Sequence, residues 1–186
     1  LHQHYCSQST LQGQLPFTIA ERILNEADSL EKAVAILNSC TVSTSWAFVL
    51  TDGKKREGLI YECHPKARGI NSLGPSVNYL AHSNHFQTAQ CQPKEYATTH
   101  RMNWDNHYRR LRLEELARKA GSSMGVAEMA SAMSDHWDHY WEEEKYVNRI
   151  VSQVYNIQSF VLDSENMKVY LANGNSPIHL GSYQEY

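Results

Sequence analysis

Basic charge is scarce in this sequence. Of its 186 residues, 17 are Lys or Arg and 20 are Asp or Glu, for a formal net charge of -3 with histidine neutral. Without a basic field, counterion release from phosphates supplies little affinity, so nucleic acid is a poor partner class. Long apolar runs are also missing. None approaches the roughly 20 residues that a membrane-spanning helix needs, and no basic-then-apolar leader opens the chain. Cysteine is sparse: Cys6, Cys40, Cys63 and Cys91 fall at wide, irregular spacings with no CxxC pair, which argues against a closed zinc site. Two disulfides and four buried thiols fit these spacings equally, so the compartment, cytoplasmic or exported, is left open. Repeats, low-complexity tracts and evident linkers are absent as well.

What is present fits a water-soluble globular segment: 41% hydrophobic and 20% charged residues, enough chain for a single domain with one sizeable core. The chain opens on Leu1 rather than Met, in mid-phrase, and an upstream segment of the same protein is expected.

Local patterns predict an α+β fold. Pro16 to Asn38 reads as helix in two pieces, with a stripe of Phe17, Ile23, Leu24 and Ala27, a break near Asp28 and Ser29, and a second stripe of Leu30, Ala33, Val34 and Leu37. Asp28 followed by Glu31 resembles a capping box. Ser45 to Leu50 and Gly58 to Glu62 are short β-rich runs around Asp52-Gly53, a hairpin signal. Val77 to Ser83 is a further strand candidate, ending at Asn84-His85-Phe86. Tyr108 to Lys119 has helical spacing and Gly121 stands where a C-cap glycine belongs; Val126, Met129, Ala130 and Met133 mark another helix. Tyr155 to Leu162 and Met167 to Ala172, joined by Asp163-Ser164-Glu165-Asn166, predict a terminal hairpin. Mainly antiparallel sheets covered by helices are the expected architecture.

Asn84, at a polar strand exit, is the first candidate for chemistry. A carboxamide offers N–H donors that cannot titrate away, which suits it to stabilise negative charge on a carbonyl oxygen during acyl transfer. On the residues alone the plainer reading takes precedence: Asn84 turns the chain and His85 packs. Asp135, His136, Asp138 and His139 are densely spaced, and two histidines three apart could share a metal. Without HExxH or paired cysteines, no metal is assigned and a solvated helix end is the expectation there.

Taken in order, Leu15-Pro16-Phe17, Glu31-Lys32-Ala33, Ser45 to Asp52, Ile60-Tyr61-Glu62, Ser83-Asn84-His85-Phe86, Tyr108-Arg109-Arg110-Leu111, Asp135-His136, Ser159 to Asp163 and Ala172 to Pro177 resemble the acyl-coenzyme A:6-aminopenicillanic acid acyltransferase family. Ser83 to Phe86 looks like that family's Thr-Asn-His-Phe phrase. The resemblance implies an N-terminal-nucleophile hydrolase fold of αββα layers, incomplete in this chain. It also implies an activity: a precursor cleaves itself before a cysteine, whose thiolate then attacks an amide and carries the acyl group as a thioester.

By the order of the phrases, that cysteine is expected upstream, in another part of the same precursor. Cys40-Thr41 resembles the family's nucleophile phrase and is the alternative, although the helix before it and the strand ending at Glu62 match a later segment. The surroundings of Cys6 match no part of the pattern. The resemblance gives catalytic roles to Asn84 and His85 and substrate contacts to Phe86, Arg109 and Arg110. An arginine fork at the start of the following helix would hold a carboxylate or phosphate. The implied substrate is a small-molecule amide or acyl donor, and no cofactor is implied. Two other readings remain: the related choloylglycine hydrolase or ceramidase-type amidases, which resemble this chain in an Asn at the same strand end, and a catalytically silent domain.

Overall fold

The computed structural model describes residues 2–3, 8–96, 100–173 and 183–186. Cys6, His4 and residues 174–177 of the last family-like phrase lie outside them. The chain forms two compact units, Leu1–His100 and Arg101–Tyr186. It is α+β with antiparallel sheets.

In the first unit Pro16 opens helix α1 (Pro16–Glu26), where its missing N–H costs nothing. The buried stripe is Pro16, Ile19 and Ile23. Leu24 is exposed, and Phe17 stays largely exposed while meeting the Trp46 ring edge-on at 5.2 Å, so the predicted stripe was displaced around the helix. Helix α2 (Leu30–Ser39) is capped by Ser29, whose hydroxyl accepts from the Lys32 amide at 3.3 Å. Asp28, the predicted cap, lies one position too early and pairs loosely with Lys32 instead. The buried stripe of α2, Leu30, Ala33, Ile36 and Leu37, covers a sheet of order β1-β2-β3-β4. Its strands are β1 (His2–Gln3), β2 (Trp46–Asp52), β3 (Glu57–His64) and β4 (Ala67–Ser72).

The β2–β3 turn forms where Asp52 was read, its carboxylate accepting from the Lys54 and Lys55 amides at 3.0 and 3.2 Å. Arg56 supplies the left-handed residue at φ 54°.

Strand alternation assigns the sheet's two faces. Phe48, Leu59, Tyr61 and Cys63 join Ile19, Ile23, Ile36 and Leu37 in the core. Full burial of each large side chain there contributes roughly 1.5–3 kcal/mol. The Tyr61 hydroxyl donates to Asn38 of α2 at 2.7 Å. Glu62 and its cross-strand partner Gly69 point to the opposite face, where residues 82–91 pack.

That covering segment is the main departure from expectation. Val77 to Ser83 is not a strand; after a small turn in which Gly74 and Val77 exchange backbone hydrogen bonds at 3.0 Å, the chain runs as an irregular loop. Farther along, the Gln87 and Thr88 amides go to the Glu62 side chain rather than to a neighbouring strand. Conversely β4, with Arg68, Gly69, Asn71 and Ser72 in its six residues, carries too little apolar pattern to have been read as a strand.

In the second unit, helix α3 (His100–Ala120) starts two turns before the predicted point, because His100 to His107 is polar and shows no apolar stripe. It ends at Gly121, φ +57°, as the C-cap reading required. Helix α4 (Val126–Met133) packs on β7 (Gln158–Asp163). Strand β7 pairs with β8 (Lys168–Asn173), which pairs with β9 (Tyr183–Glu185). The predicted turn closes this hairpin, Asp163 accepting from the Asn166 amide at 3.0 Å. Between these elements lies a short hairpin of β5 (Trp137–Asp138) and β6 (Glu143–Glu144). No helix among the described residues is long and apolar enough to cross a membrane.

Candidate active site

Glu62 sits in the middle of an otherwise apolar strand run and is fully buried. An ionised carboxylate accepts hydrogen bonds only, and out of water it must find donors or lose its charge. The donors come from the 82–88 loop. His82 Nε2 lies 3.2 Å from Oε1, and the Gln87 amide donates to the same oxygen at 2.6 Å. Oε2 accepts from the Thr88 amide at 2.9 Å and from the Thr88 hydroxyl at 2.6 Å. Burial acts to raise the Glu62 pKa, and these hydrogen bonds outweigh it, leaving the carboxyl below its ordinary range. Gly69 is required opposite: a Cβ there would stand 1.9 Å from the Thr88 hydroxyl oxygen.

The loop thus closed at its base carries the sequence-predicted residues. Asn84 and His85 are partly buried, and the Ser83 hydroxyl lies 2.8 Å from His85 Nδ1. Phe86 is fully buried, and its amide donates to Glu95 at 3.1 Å. Burial is the main cause that pushes the Glu95 carboxyl up to about 7, with the Glu62 charge adding to it and the Phe86 amide opposing. The Gln87 side chain ties back to the Ala81 carbonyl at 2.9 Å. Asn84 therefore stands on a loop braced by side chains rather than at a strand exit. Sequence reasoning passed over Glu62, Thr88 and Glu95; the available signal was a lone carboxylate inside the run Leu59-Ile60-Tyr61-Glu62-Cys63.

Cys40, Cys63 and Cys91 are free and buried. Cys40 is the C-cap residue of α2 and belongs to the core cluster, with an Arg22 guanidinium nitrogen 3.8 Å from its sulfur. Burial pushes the Cys63 thiol up to about 12 and raises that of Cys91. Neither is poised as a thiolate.

Arg109 and Arg110 lie well inside α3 rather than at its start. Arg109 donates to the Asn106 carboxamide, and Arg110 pairs with Glu114 one turn on. The 135–139 cluster is no solvated helix end. Asp135 receives a two-pronged bond from Arg112 at 2.9 and 2.7 Å. Asp138 is fully buried, accepting from the Tyr140 and Trp141 amides at 2.9 and 3.2 Å and from Arg149 at 3.2 Å. These backbone donors, hidden from a reading of spacing alone, make Asp138 the brace of the β5–β6 hairpin. His139 meets Glu115 at 3.2 Å. Among the described residues, no group of three or more His, Cys, Asp or Glu side chains is placed to hold a metal ion.

No curated protein matches the sequence. The model of the acyl-coenzyme A:6-aminopenicillanic acid acyl-transferase family matches residues 2–177, nearly the whole chain. The chain belongs to this acyl-transferase family.

Proposed function

We propose that the chain supplies the oxyanion-stabilising loop of a cysteine amidohydrolase or acyltransferase of the N-terminal-nucleophile type, with Asn84 as the donor. The observation that carries this reading is the braced loop itself. Irregular backbone is held over the sheet by a buried carboxylate, and the residues it leaves partly exposed are Asn84 and His85 of the family-like Ser83-Asn84-His85-Phe86 phrase.

In the reaction so read, a thiolate attacks the amide carbonyl carbon. The C–S bond forms as the carbonyl π pair moves to oxygen, and the Asn84 carboxamide donates to that oxyanion. When the C=O bond re-forms, the C–N bond breaks and the amine leaves with a proton from the nucleophile's own α-ammonium. Water or a second amine then attacks the thioester carbon; as the C=O bond re-forms the C–S bond breaks, the thiolate leaves, the attacker's proton passes to the α-amine, and the acyl group is released as an acid or a new amide. An acyl-CoA would serve as donor in the acyltransferase branch. His85, held by Ser83, lies beside the reacting centre in this scheme.

The nucleophile is assigned outside the described residues, in the nucleophile-bearing part of the same precursor. The state of the thiols supports this: Cys63 and Cys91 are buried with raised pKa values, and Cys40 is packed at a helix end. A layered αββα arrangement is supported by the β7–β8–β9 sheet, which is apolar on both sides. Val161 and Ala172 are buried, whereas Phe160, Leu162 and Val169 form an exposed face suited to a second sheet. In full-length protein, Asn84→Ala should lower turnover of an acyl p-nitroanilide by roughly 100 to 1000-fold, the usual loss for one oxyanion donor. A trapped acyl-thioester should be visible by intact mass. Full turnover by the folded alanine variant would overturn the assignment.

A further inference from the structure

We infer that Glu62 is a positioning residue for the Asn84 loop: one buried carboxylate ties the residue before the loop to the two residues after it, and so fixes where Asn84 stands. The inference rests on the Asn84 reading given above. His82 enters the loop and Gln87 and Thr88 leave it, and all three meet the same carboxylate at 3.2, 2.6, 2.9 and 2.6 Å. Asn84 lies between these anchors, so the base of the loop is closed by side-chain chemistry, without a β ladder.

The anchor is rigid on its own side as well. Glu62 is paired through β3 with Ala47 of β2 and Gly69 of β4, in the middle of the sheet. The fit at Gly69 leaves Thr88 no room to shift toward β4. Glu95 adds a second carboxylate acceptor, for the Phe86 amide. A reacting oxygen must meet its donor within a few tenths of an ångström, and displacement by about 1 Å from a remote change can cost roughly 100-fold in rate. A carboxylate that closes the loop is therefore worth its burial.

Two variants test this in the full-length protein. Glu62→Gln turns one acceptor oxygen into an NH2 group facing donors, and Thr88→Val removes only the hydroxyl bond, so it carries the test if the first fails to fold. Amide exchange at Gln87 and Thr88, followed by mass spectrometry, should accelerate in both. With an acyl p-nitroanilide as probe, kcat should fall roughly 10 to 100-fold with KM nearly unchanged. In an Asn84→Ala background the same changes should cost less than about 3-fold, because the group they position is gone. A folded Thr88→Val protein with unchanged kcat, or losses that multiply fully with Asn84→Ala, would overturn the positioning role. If Asn84→Ala itself keeps full turnover, the oxyanion assignment falls and the positioning role falls with it. Unchanged exchange in Glu62→Gln would instead refute the anchor alone, whatever the Asn84 result.

Discussion

Replacing Glu95 with glutamine should make the protein's stability less sensitive to alkaline pH, by an amount the structure allows to be worked out. Burial, with Glu62 adding, raises the Glu95 carboxyl from its ordinary 4.5 to about 7. Between those values the folded protein binds more protons at this site than the unfolded chain does. Its contribution to stability is therefore full below about pH 4.5 and is lost as pH rises through 7. At about 1.4 kcal/mol per pKa unit the ceiling is about 3 kcal/mol, and partial access to water reduces the expected effect to about 1–2 kcal/mol. Glutamine keeps an oxygen for the Phe86 amide but cannot ionise, so its own contribution is flat. Urea denaturation of full-length wild-type and Glu95→Gln protein at pH 5 and pH 8.5 should show the variant gaining about 1–2 kcal/mol over wild type across that span. If the two stay parallel to within about 0.3 kcal/mol, the folded state does not penalise the Glu95 charge and the account of this bracing is wrong.

Other consequences follow from single contacts. Gly69→Ala should lower the urea midpoint, with a loss of about 1–3 kcal/mol, since Thr88 is held by Glu62 and cannot yield to the new Cβ; an unchanged midpoint would show that the contact relaxes freely. Native alkylation with iodoacetamide at pH 8 should spare Cys63, whose thiolate fraction at a pKa of about 12 is about one in ten thousand, and prompt labelling there would contradict its burial. Arg112→Ala should cost about 1–3 kcal/mol, because it strips Asp135 and Glu115 of a largely buried partner. Arg22→Ala, at the more exposed Arg22–Glu26 pair, should cost clearly less than Arg112→Ala, and equal losses at the two sites would refute the distinction.

The hairpins and helices were legible where the chain itself carries the instruction. Asp52, Asp163 and Gly121 each act through neighbours within a few residues, so their turns and cap could be read from local sequence. The family was legible from short phrases in order. What escaped was whatever depends on a partner distant in sequence. Strand β4 is defined by pairing with β3 despite a polar composition, and the extension of α3 through polar residues has no apolar stripe to announce it. Val77 to Ser83 failed in the opposite sense. Its apolar residues suit a strand, but the loop that follows gives its amides to Glu62, a residue more than twenty positions earlier.

That exchange explains why the candidate residue was found while its support was not. A strand satisfies its amides by regular pairing and so commits each side chain to one of two directions. A loop carrying a reactive carboxamide needs a direction that pairing would not give, and the price is a set of amides without a ladder. Glu62 meets that demand from one side chain, because an ionised carboxylate has acceptor sites enough for two amides, a hydroxyl and an imidazole. The hydrogen bonds hold its pKa low, so the stability it adds is present above the ordinary carboxyl range and is lost as pH falls through its folded value. Glu95 works in the reverse sense, losing its contribution as pH rises through about 7. The two carboxyls that meet the loop thus act on stability with opposite pH dependence, Glu62 as the hydrogen-bonded anion and Glu95 as the buried neutral acid.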